Sequence, residues 1–350
     1  MPSLLERSQV AKREDLLDLL TRVDEKATPF MSLVNKGTTP QNTRMDWPVD
    51  AYASPSLGGI VDGKDITETG GGDYENPAGS RALLFNYLQT FRRAAMISRL
   101  AGDVSVIAGV ADEKANAVAV KGVELLRDME TTMLSDQEFD TDDGTNPYLL
   151  RAMGVWVRGD STINTAGFGS LAGQASGFEV PAAFRPADGQ VNGSATADLT
   201  ESDIQTMLQT IWTNTGMIGD YKLFCDATLR RAFTDFTRTI ATAGYSQRSL
   251  NYDGDGTKIT NTTTIFEGDF GQVEVIADNF IGANRPGVSF AQEAGRGYLV
   301  DMEKVDVRLE KSPTVETFED RGGGERIMIE GRATLQVRNP KGLGQFSPAL

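Results

Sequence analysis

The 350-residue chain has no histidine and a single cysteine, Cys225. Without histidine there is no Ser-His-Asp or Cys-His catalysis and no His-ligated zinc or haem, and one cysteine excludes an intrachain disulfide framework, CxxC redox chemistry and thiolate zinc. Thirty-four basic against 49 acidic residues leave a net charge of −15, which opposes general binding to nucleic acid or an anionic membrane, in a chain whose 39% apolar and 24% charged residues are those of a soluble globular protein.

Length sets a prior of about two domains. The first twenty residues carry Glu6, Arg7, Lys12, Arg13, Glu14 and Asp15, unlike a signal peptide. No later run approaches the roughly 18 apolar residues of a membrane span. The chain is therefore expected to stay in the cytoplasm where it is made.

Arg13 to Val23 reads as a short amphipathic helix ending before Thr28-Pro29. Asn42 to Tyr52 alternates through Met45, Trp47 and Val49 as a half-exposed strand, with Pro48 arguing for an edge. Ala53 to Gly79 has seven glycines in 27 residues and cannot supply a core. Ser80 to Ser98 returns to strand character through Leu83, Phe85, Tyr87 and Phe91. Strand, glycine-rich tip and strand predict an extended hairpin.

From Pro77 to Gly102 the charged residues are Arg81, Arg92, Arg93 and Arg99, so this stretch is +4 inside an acidic chain. Its most economical partner is acidic protein surface, with phosphate as the alternative. Asp112 caps a predicted helix to about Ser135, with Val118, Gly122, Leu126, Met129 and Met133 as its apolar stripe. Asp128, Glu130, Asp136, Glu138, Asp140, Asp142 and Asp143 then bring seven negative charges with no base from Asp128 to Asp143. They read either as a solvated acidic face or as the counterpart of the arginine ribbon on a neighbouring subunit.

Met153 to Arg158 reads as a strand around Trp156, and Gly159 to Gly193 as glycine-rich connection. Thr200-Glu-Ser-Asp203 resembles a capping box before a helix with Ile204, Met207, Leu208, Ile211 and Trp212 on one face, stopped by Gly216. Tyr221 to Cys225 is a predicted buried strand in which Cys225 serves packing. Asp226 caps a helix with Leu229, Phe233, Phe236 and Ile240 on one side, and a hairpin turns around Glu267 to Gly271. Tyr298 to Glu310 and Arg326 to Val337 are strand regions, the second ended by Asn339-Pro340. Without regular βαβ repetition the fold class is α+β.

Three motifs touch on chemistry. Gly58 to Asp65 nearly matches a phosphate-binding loop, but Asp65 stands where Ser or Thr is required, and Asp62 and Asp65 repel phosphate. Asn251 to Gly256 begins like a calcium loop, but Thr262 occupies its twelfth position, and a tight Asp-Gly loop explains the same residues. A paired-carboxylate glycosidase needs no histidine, yet no acidic pair stands out. The sequence nominates no catalytic residue, no cofactor and no metal.

In order and spacing, Lys12 to Leu16, Ala27 to Met31, Trp47, Met153 to Val157, the Thr200 helix, Asp269 to Gly271, Tyr298 to Glu310, Asp320 to Gly322, Glu330 and Leu335 to Asn339 resemble a tailed-phage major capsid protein of the Hong Kong 97 fold. The resemblance implies an N-terminal arm at 1–41, an extended loop hairpin at 42–97, a peripheral domain with a long spine helix at 98–199 and 291–350, and an axial domain at 200–290. It implies a non-enzymatic protein that assembles with itself as hexamers and pentamers into an icosahedral shell around double-stranded DNA, without sequence-specific DNA binding. The portal is a further expected partner, and because too few residues precede the arm for a fused scaffold, the resemblance implies a separate scaffold protein or none, with a cement protein as another option. The inter-subunit contacts expected are Arg81, Arg92, Arg93 and Arg99 against Asp136, Glu138, Asp140, Asp142 and Asp143. An encapsulin-like compartment and a carboxylate-dependent glycan-degrading virion or tail protein remain alternatives. Lys64 and Asn339 do not align to a cross-linking pair.

Overall fold

The computed structural model describes residues 27–52, 55, 57, 62–63, 81–100, 112–158, 180–193, 199–242, 245–248, 251–252, 259–260, 265–281, 295–319 and 322–346. The predicted helix at Arg13 to Val23, most of the glycine-rich tip with Lys64, and residues 159–179 lie outside them.

The described chain opens with the five-residue helix α1 (Pro29–Leu33), with proline at its start, where the missing N–H is no loss. Strand β1 (Asn35–Lys36) follows, then β2 (Arg44–Val49) and β3 (Ala82–Tyr87), which pair antiparallel as the base of the predicted hairpin. Its inward face is the opposite of the expected one. Leu84 and Asn86 are fully buried, while Leu83 is 53% exposed and Phe85 and Tyr87 are half-buried. Both faces of β3 carry apolar residues, so hydrophobicity alone does not select the register. Phe85 and Tyr87 of the outer face pack in a cluster of their own, in which Tyr87 stacks on Phe139 and Tyr148 at 5.4 and 5.9 Å.

Strand β4 (Gln89–Ile97) leads to the long helix α2 (Glu113–Met133). Its N-cap is Asp112, whose side chain accepts the N–H groups of Lys114 and Ala115, leaving fewer orphan donors in the first turn. At 1.5 Å per residue the helix is about 32 Å long. Leu125, Met129 and Met133 are fully buried, whereas Leu126 is 37% exposed. The stripe therefore runs through Leu125, one position from the expected residue. Gly122, the small residue of that stripe, faces β-sheet: a Cβ added there would lie 3.9 Å from the Ile329 side chain.

Met153 to Arg158 is helix α3, not a strand. Met153, Trp156 and Val157 are all buried, and their spacing of three and four residues puts them on one helical face. Packing there overrides the strand preference of valine and tryptophan. Gly154 permits the approach: a Cβ at that position would lie 1.9 Å from Asp136 Oδ1.

Strand β5 (Val191–Asn192) precedes α4 (Glu201–Thr215), whose start is the expected capping box: the Asp203 carboxylate accepts the Thr200 N–H at 2.7 Å and hydroxyl at 2.8 Å. Gly216 ends it at φ 70°, the left-handed conformation that favours glycine. Then come β6 (Gly219–Cys225) and α5 (Ala227–Arg238), capped by Asp226 accepting the Leu229 N–H at 2.7 Å. Ile240, expected on that helix, instead lies in β7 (Thr239–Thr242), which pairs with β8 (Tyr245–Arg248). β9 (Asn251–Tyr252) pairs antiparallel with β10 (Ile259–Thr260), and Asp253 to Gly256 of the calcium-like motif lie outside the described residues.

β11 (Ile265–Gly268) and β12 (Gly271–Ala277) form the predicted hairpin. β13 (Gly297–Asp301) and β14 (Val305–Phe318), read as one strand region, are two strands in different sheets. β15 (Glu325–Val337) and β16 (Gly344–Phe346) close the described chain.

Two sheets organise these elements, β1-β14-β15-β4 and β11-β12-β6-β13-β16-β5. The second separates two apolar cores. Tyr221, Leu223, Cys225 and Leu299 face a core with α4 and α5, while Phe224, Tyr298 and Val300 face the core around α1, α2 and α3. Alternate side chains of β6 and β13 thus serve opposite cores, which explains their near-continuous apolar runs. Phe30 meets Phe224 edge-on at 5.4 Å, tying α1 to the sheet, and Trp47 of the hairpin packs 5.7 Å from Trp156 while its Nε1 donates to Val337 O at 3.0 Å.

Candidate functional site

The arginine strand β4 is the outer strand of the four-stranded sheet, antiparallel to β15. Side chains alternate across it, so Arg92 and Arg93 leave opposite faces. Arg93 turns toward α2, where its Nε and Nη2 reach the two Asp128 oxygens at 2.5 and 2.6 Å, a bidentate pair. Arg92 lies on the face turned away from α2 and donates to Glu330 at 2.8 Å.

Glu330 organises that outer face. Its side chain is 5% exposed and accepts from Arg92 and Arg332 at 2.8 and 2.9 Å, with Lys311 at 3.9 Å. The Arg92 hydrogen bond, followed by that of Arg332, holds its carboxyl below the usual range despite burial. Toward the sheet end the same face becomes apolar. Phe318 and Met96 flank Arg326 in register and are 52% and 54% exposed. Ser312 to Phe318 are all exposed. The outer edge of β14 is paired by β1 at Asp306 and Val307 alone among the described strands.

Of the other ribbon arginines, Arg81 meets Asp50 at 3.2 Å across the hairpin base, and Arg99 follows the end of β4. The acidic stretch is not one solvated face. Asp128 meets Arg93, Glu130 is fully buried, Asp136 pairs with Arg296, and Glu138 pairs with Arg151 at 2.7 Å. Asp140, Asp142 and Asp143 accept backbone N–H groups in the following turn. The Asn146 N–H, then that of Thr145, hold Asp143 below the usual carboxylate range. Part of the ribbon-to-acid pairing is thus made within one chain.

Two of these roles escaped sequence reading. Glu330 sits in an apolar strand opposite Arg92, and only the register of β15 on β4 reveals the pair. Glu130 belongs to a charge run, and only the return of α1 onto α2 shows that it is internal.

The sequence matches the family described as SU10 major capsid protein over residues 5–348. The chain belongs to the SU10 major capsid protein family. Among curated proteins no match was found. The fold is similar to that of solved capsids at low identity. The cyanophage P-SCSP1u capsid protein is 12% identical with a TM-score of 0.55, covering 100% of this chain and 98% of the other. The Microbacterium phage Oxtober96 protein is 13% identical with a TM-score of 0.58, covering 97% and 96%. A native GTA particle capsid protein is 11% identical with a TM-score of 0.56, again covering 97% and 96%.

This is a phage major capsid protein of α+β fold, a structural component of the virion shell and not an enzyme. No described helix is long and apolar enough to cross a membrane. Cys225 is fully buried, and burial pushes its thiol up to about 12, which suits the packing role expected of it. Of the nucleotide-like loop, Asp62 and Gly63 are described and form a turn; the rest lies outside the described residues.

Proposed function

We propose that this capsid protein joins neighbouring copies, as hexamers and pentamers of an icosahedral shell, through the outer face and free edge of its four-stranded sheet. The observation that carries the reading is the run of seven exposed residues, Ser312 to Phe318, in a strand otherwise built into the body. An open strand edge carrying half-exposed Phe318, with Met96 two strands away on the same face, is surface that a subunit of an assembly covers. Arg92, 60% exposed although paired, supplies the polar part of that surface, and Arg81 and Arg99 extend the ribbon. Asp142 and Asp143, exposed in their turn, are its acidic counterparts, with Asp140 partly so. Asp136 and Glu138, 15% and 13% exposed, already hold internal arginines and contribute support instead of contact.

The domain reading is an arm at 1–41, an extended hairpin at 42–97, a peripheral domain at 98–199 and 291–350, and an axial domain at 200–290. The six-stranded sheet draws strands from both of the last two ranges, so they share one wall. The shell encloses double-stranded DNA without base-specific contacts; a chain of −15 repels packaged DNA and leaves it free to enter and leave. The portal and a separate scaffold or cement protein complete the set of partners.

Reversing Arg92 and Arg93 to glutamate would set carboxylates against Glu330 and Asp128 inside the chain. Arg92→Gln is the cleaner test, because Glu330 keeps Arg332. Glu330 is buried but keeps Arg332 and Lys311, so losing the hydrogen bond from the exposed Arg92 costs about 1–3 kcal/mol and the subunit is expected to stay folded. Assembly yield, followed by light scattering, should fall about tenfold or more. Wild-type assembly by Arg92→Gln would remove the ribbon from the interface.

A further inference from the structure

The six-stranded sheet ends at a cavity of about 170 Å³, lined by the start of β6, the end of β13 with its following turn, and Asn339 and Gly342 at the 340–342 turn. A space of this size holds one long side chain and no helix or strand. Tyr221 forms part of its wall. The residue is 3% exposed, and its ring lies back along β6 against Gly219, where a Cβ would sit 2.8 Å from the ring Cζ. On β12, opposite Gly219 in register, a Cβ at Gly271 would lie 3.2 Å from the same ring. Glycine at both positions lets the phenol reach the end of the sheet.

Two donors of the lining are unused. The Tyr221 hydroxyl donates to no acceptor among the described residues, and neither does the side-chain nitrogen of Asn339, whose Oδ1 accepts the Lys341 N–H at 3.2 Å. A buried hydroxyl without an acceptor is costly, and an occupant that brings a carbonyl oxygen removes the cost.

The charges of the wall ask for the opposite complement. Asp301 stands opposite Tyr221 in the pairing of β13 with β6, on the same face, and Asp220 and Glu303 line the cavity with it. Against these three acids the lining has one base, Lys304, which stands 3.8 Å from the 86% exposed Glu303 side chain. No group of three acidic or cysteine side chains among the described residues is arranged to hold a metal ion, so these carboxylates suit a cation larger than one atom. Burial above all holds the Asp301 carboxyl higher than its ordinary value. The fold thus disfavours its charged form, and a neutral side chain there costs the free subunit nothing. Met217 and Ile218, also on the lining, are 48% and 64% exposed just beyond Gly216. Apolar surface beside carboxylates matches a long basic side chain, whose methylene stem covers the one while its head reaches the other.

Resting on the shell reading above, we propose that this cavity receives a lysine or arginine residue of a neighbouring copy, its stem along Met217 and Ile218, its cationic head against Asp301 and Asp220, and its backbone carbonyl toward the Tyr221 hydroxyl and the Asn339 amide. The cation brings donors to carboxylates, and the carbonyl brings an acceptor to the two unused donors. A basic side chain seated in a pocket ringed by apolar surface is the usual form of an interface anchor. In a shell built from one chain, the surface that meets such a pocket belongs to another copy.

Met217→Cys, labelled with benzophenone maleimide in the full chain and assembled as a minority among wild-type copies, reads the occupant; the one native cysteine, Cys225, is fully buried. Irradiation of the shells should join two copies, and peptide mass spectrometry should place the bond beside a lysine or arginine of this same chain. Shells that give no joined copies, or a joined segment without a basic residue, overturn the proposal. Asp301→Asn keeps an oxygen for the Glu303 N–H, which Asp301 accepts at 3.0 Å, and removes the charge. The unassembled variant should unfold at or above the wild-type denaturant midpoint, while the protein concentration needed for assembly rises about tenfold or more. Assembly of Asp301→Asn at wild-type concentration overturns the cavity's role and leaves the shell reading standing; a wild type that builds no shell contradicts the shell reading itself.

Discussion

Glu138→Ala is expected to lower the unfolding free energy by about 3–5 kcal/mol, measured by chemical denaturation of the unassembled subunit. The cause is Arg151, whose side chain is 1% exposed and whose Nε donates to Glu138 at 2.7 Å. Its guanidinium carbon lies 5.1 Å from the Phe139 ring centre and 5.0 Å from that of Trp156. Arginine does not escape by losing its proton, although burial lowers its pKa. Without Glu138 a buried cation is left between two aromatic faces with its main counter-charge gone. Replacing both partners, as Glu138→Gln with Arg151→Met, should recover most of the loss, since an apolar chain of similar volume carries no desolvation penalty. A loss below about 1 kcal/mol for Glu138→Ala would show that solvent or another acid reaches Arg151.

The second large effect is expected at the base of the hairpin. Asn86 is fully buried and serves four backbone groups: its Nδ2 donates to Arg151 O and Leu335 O at 3.0 and 2.7 Å, and its Oδ1 accepts the Arg151 and Tyr87 N–H groups at 2.7 and 2.8 Å. One side chain thereby ties β3 to the start of α3 and to β15. Asn86→Leu keeps the number and branching of the side-chain heavy atoms, with bulkier methyl groups, and makes none of these bonds. Each buried backbone group left unmatched costs about 1–3 kcal/mol, and with partial relaxation the sum should reach about 3–5 kcal/mol. Limited proteolysis of the hairpin and denaturation should both report it. Retention of wild-type stability would mean that the hairpin is held by Trp47 and its neighbours alone.

Local chemistry made much of this molecule legible in sequence. Asp112, Thr200 with Asp203, Gly216 and Asp226 mark helix ends through hydrogen bonds or backbone conformations that depend on nearby residues. The hairpin around Asp269 and the edge position of Pro48 follow from equally local rules. What the sequence hid was set by distant contacts. Leu125 outranks Leu126, and Leu84 with Asn86 outranks Leu83 with Phe85, because the choice between two apolar faces is made by the elements that pack on them. Met153 to Arg158 becomes a helix because Trp156 must lie against Trp47.

The charged residues show the same division. A ribbon of four arginines and a run of acids are visible by counting, but their pairing is not. Asp128 and Glu330 lie 35 and 238 residues from the arginines they meet. Glu130, in the middle of the acid run, faces inward and caps another helix. The exposed remainder, Arg92, Phe318 and the open edge of β14, is the surface proposed to meet a neighbouring subunit.

Sedimentation velocity with negative-stain microscopy of the purified 37.8 kDa protein, over a range of ionic conditions, tests the capsid account most directly. Closed shells or their hexamer and pentamer precursors are the predicted result. A stable monomer or small closed oligomer under every condition would contradict it.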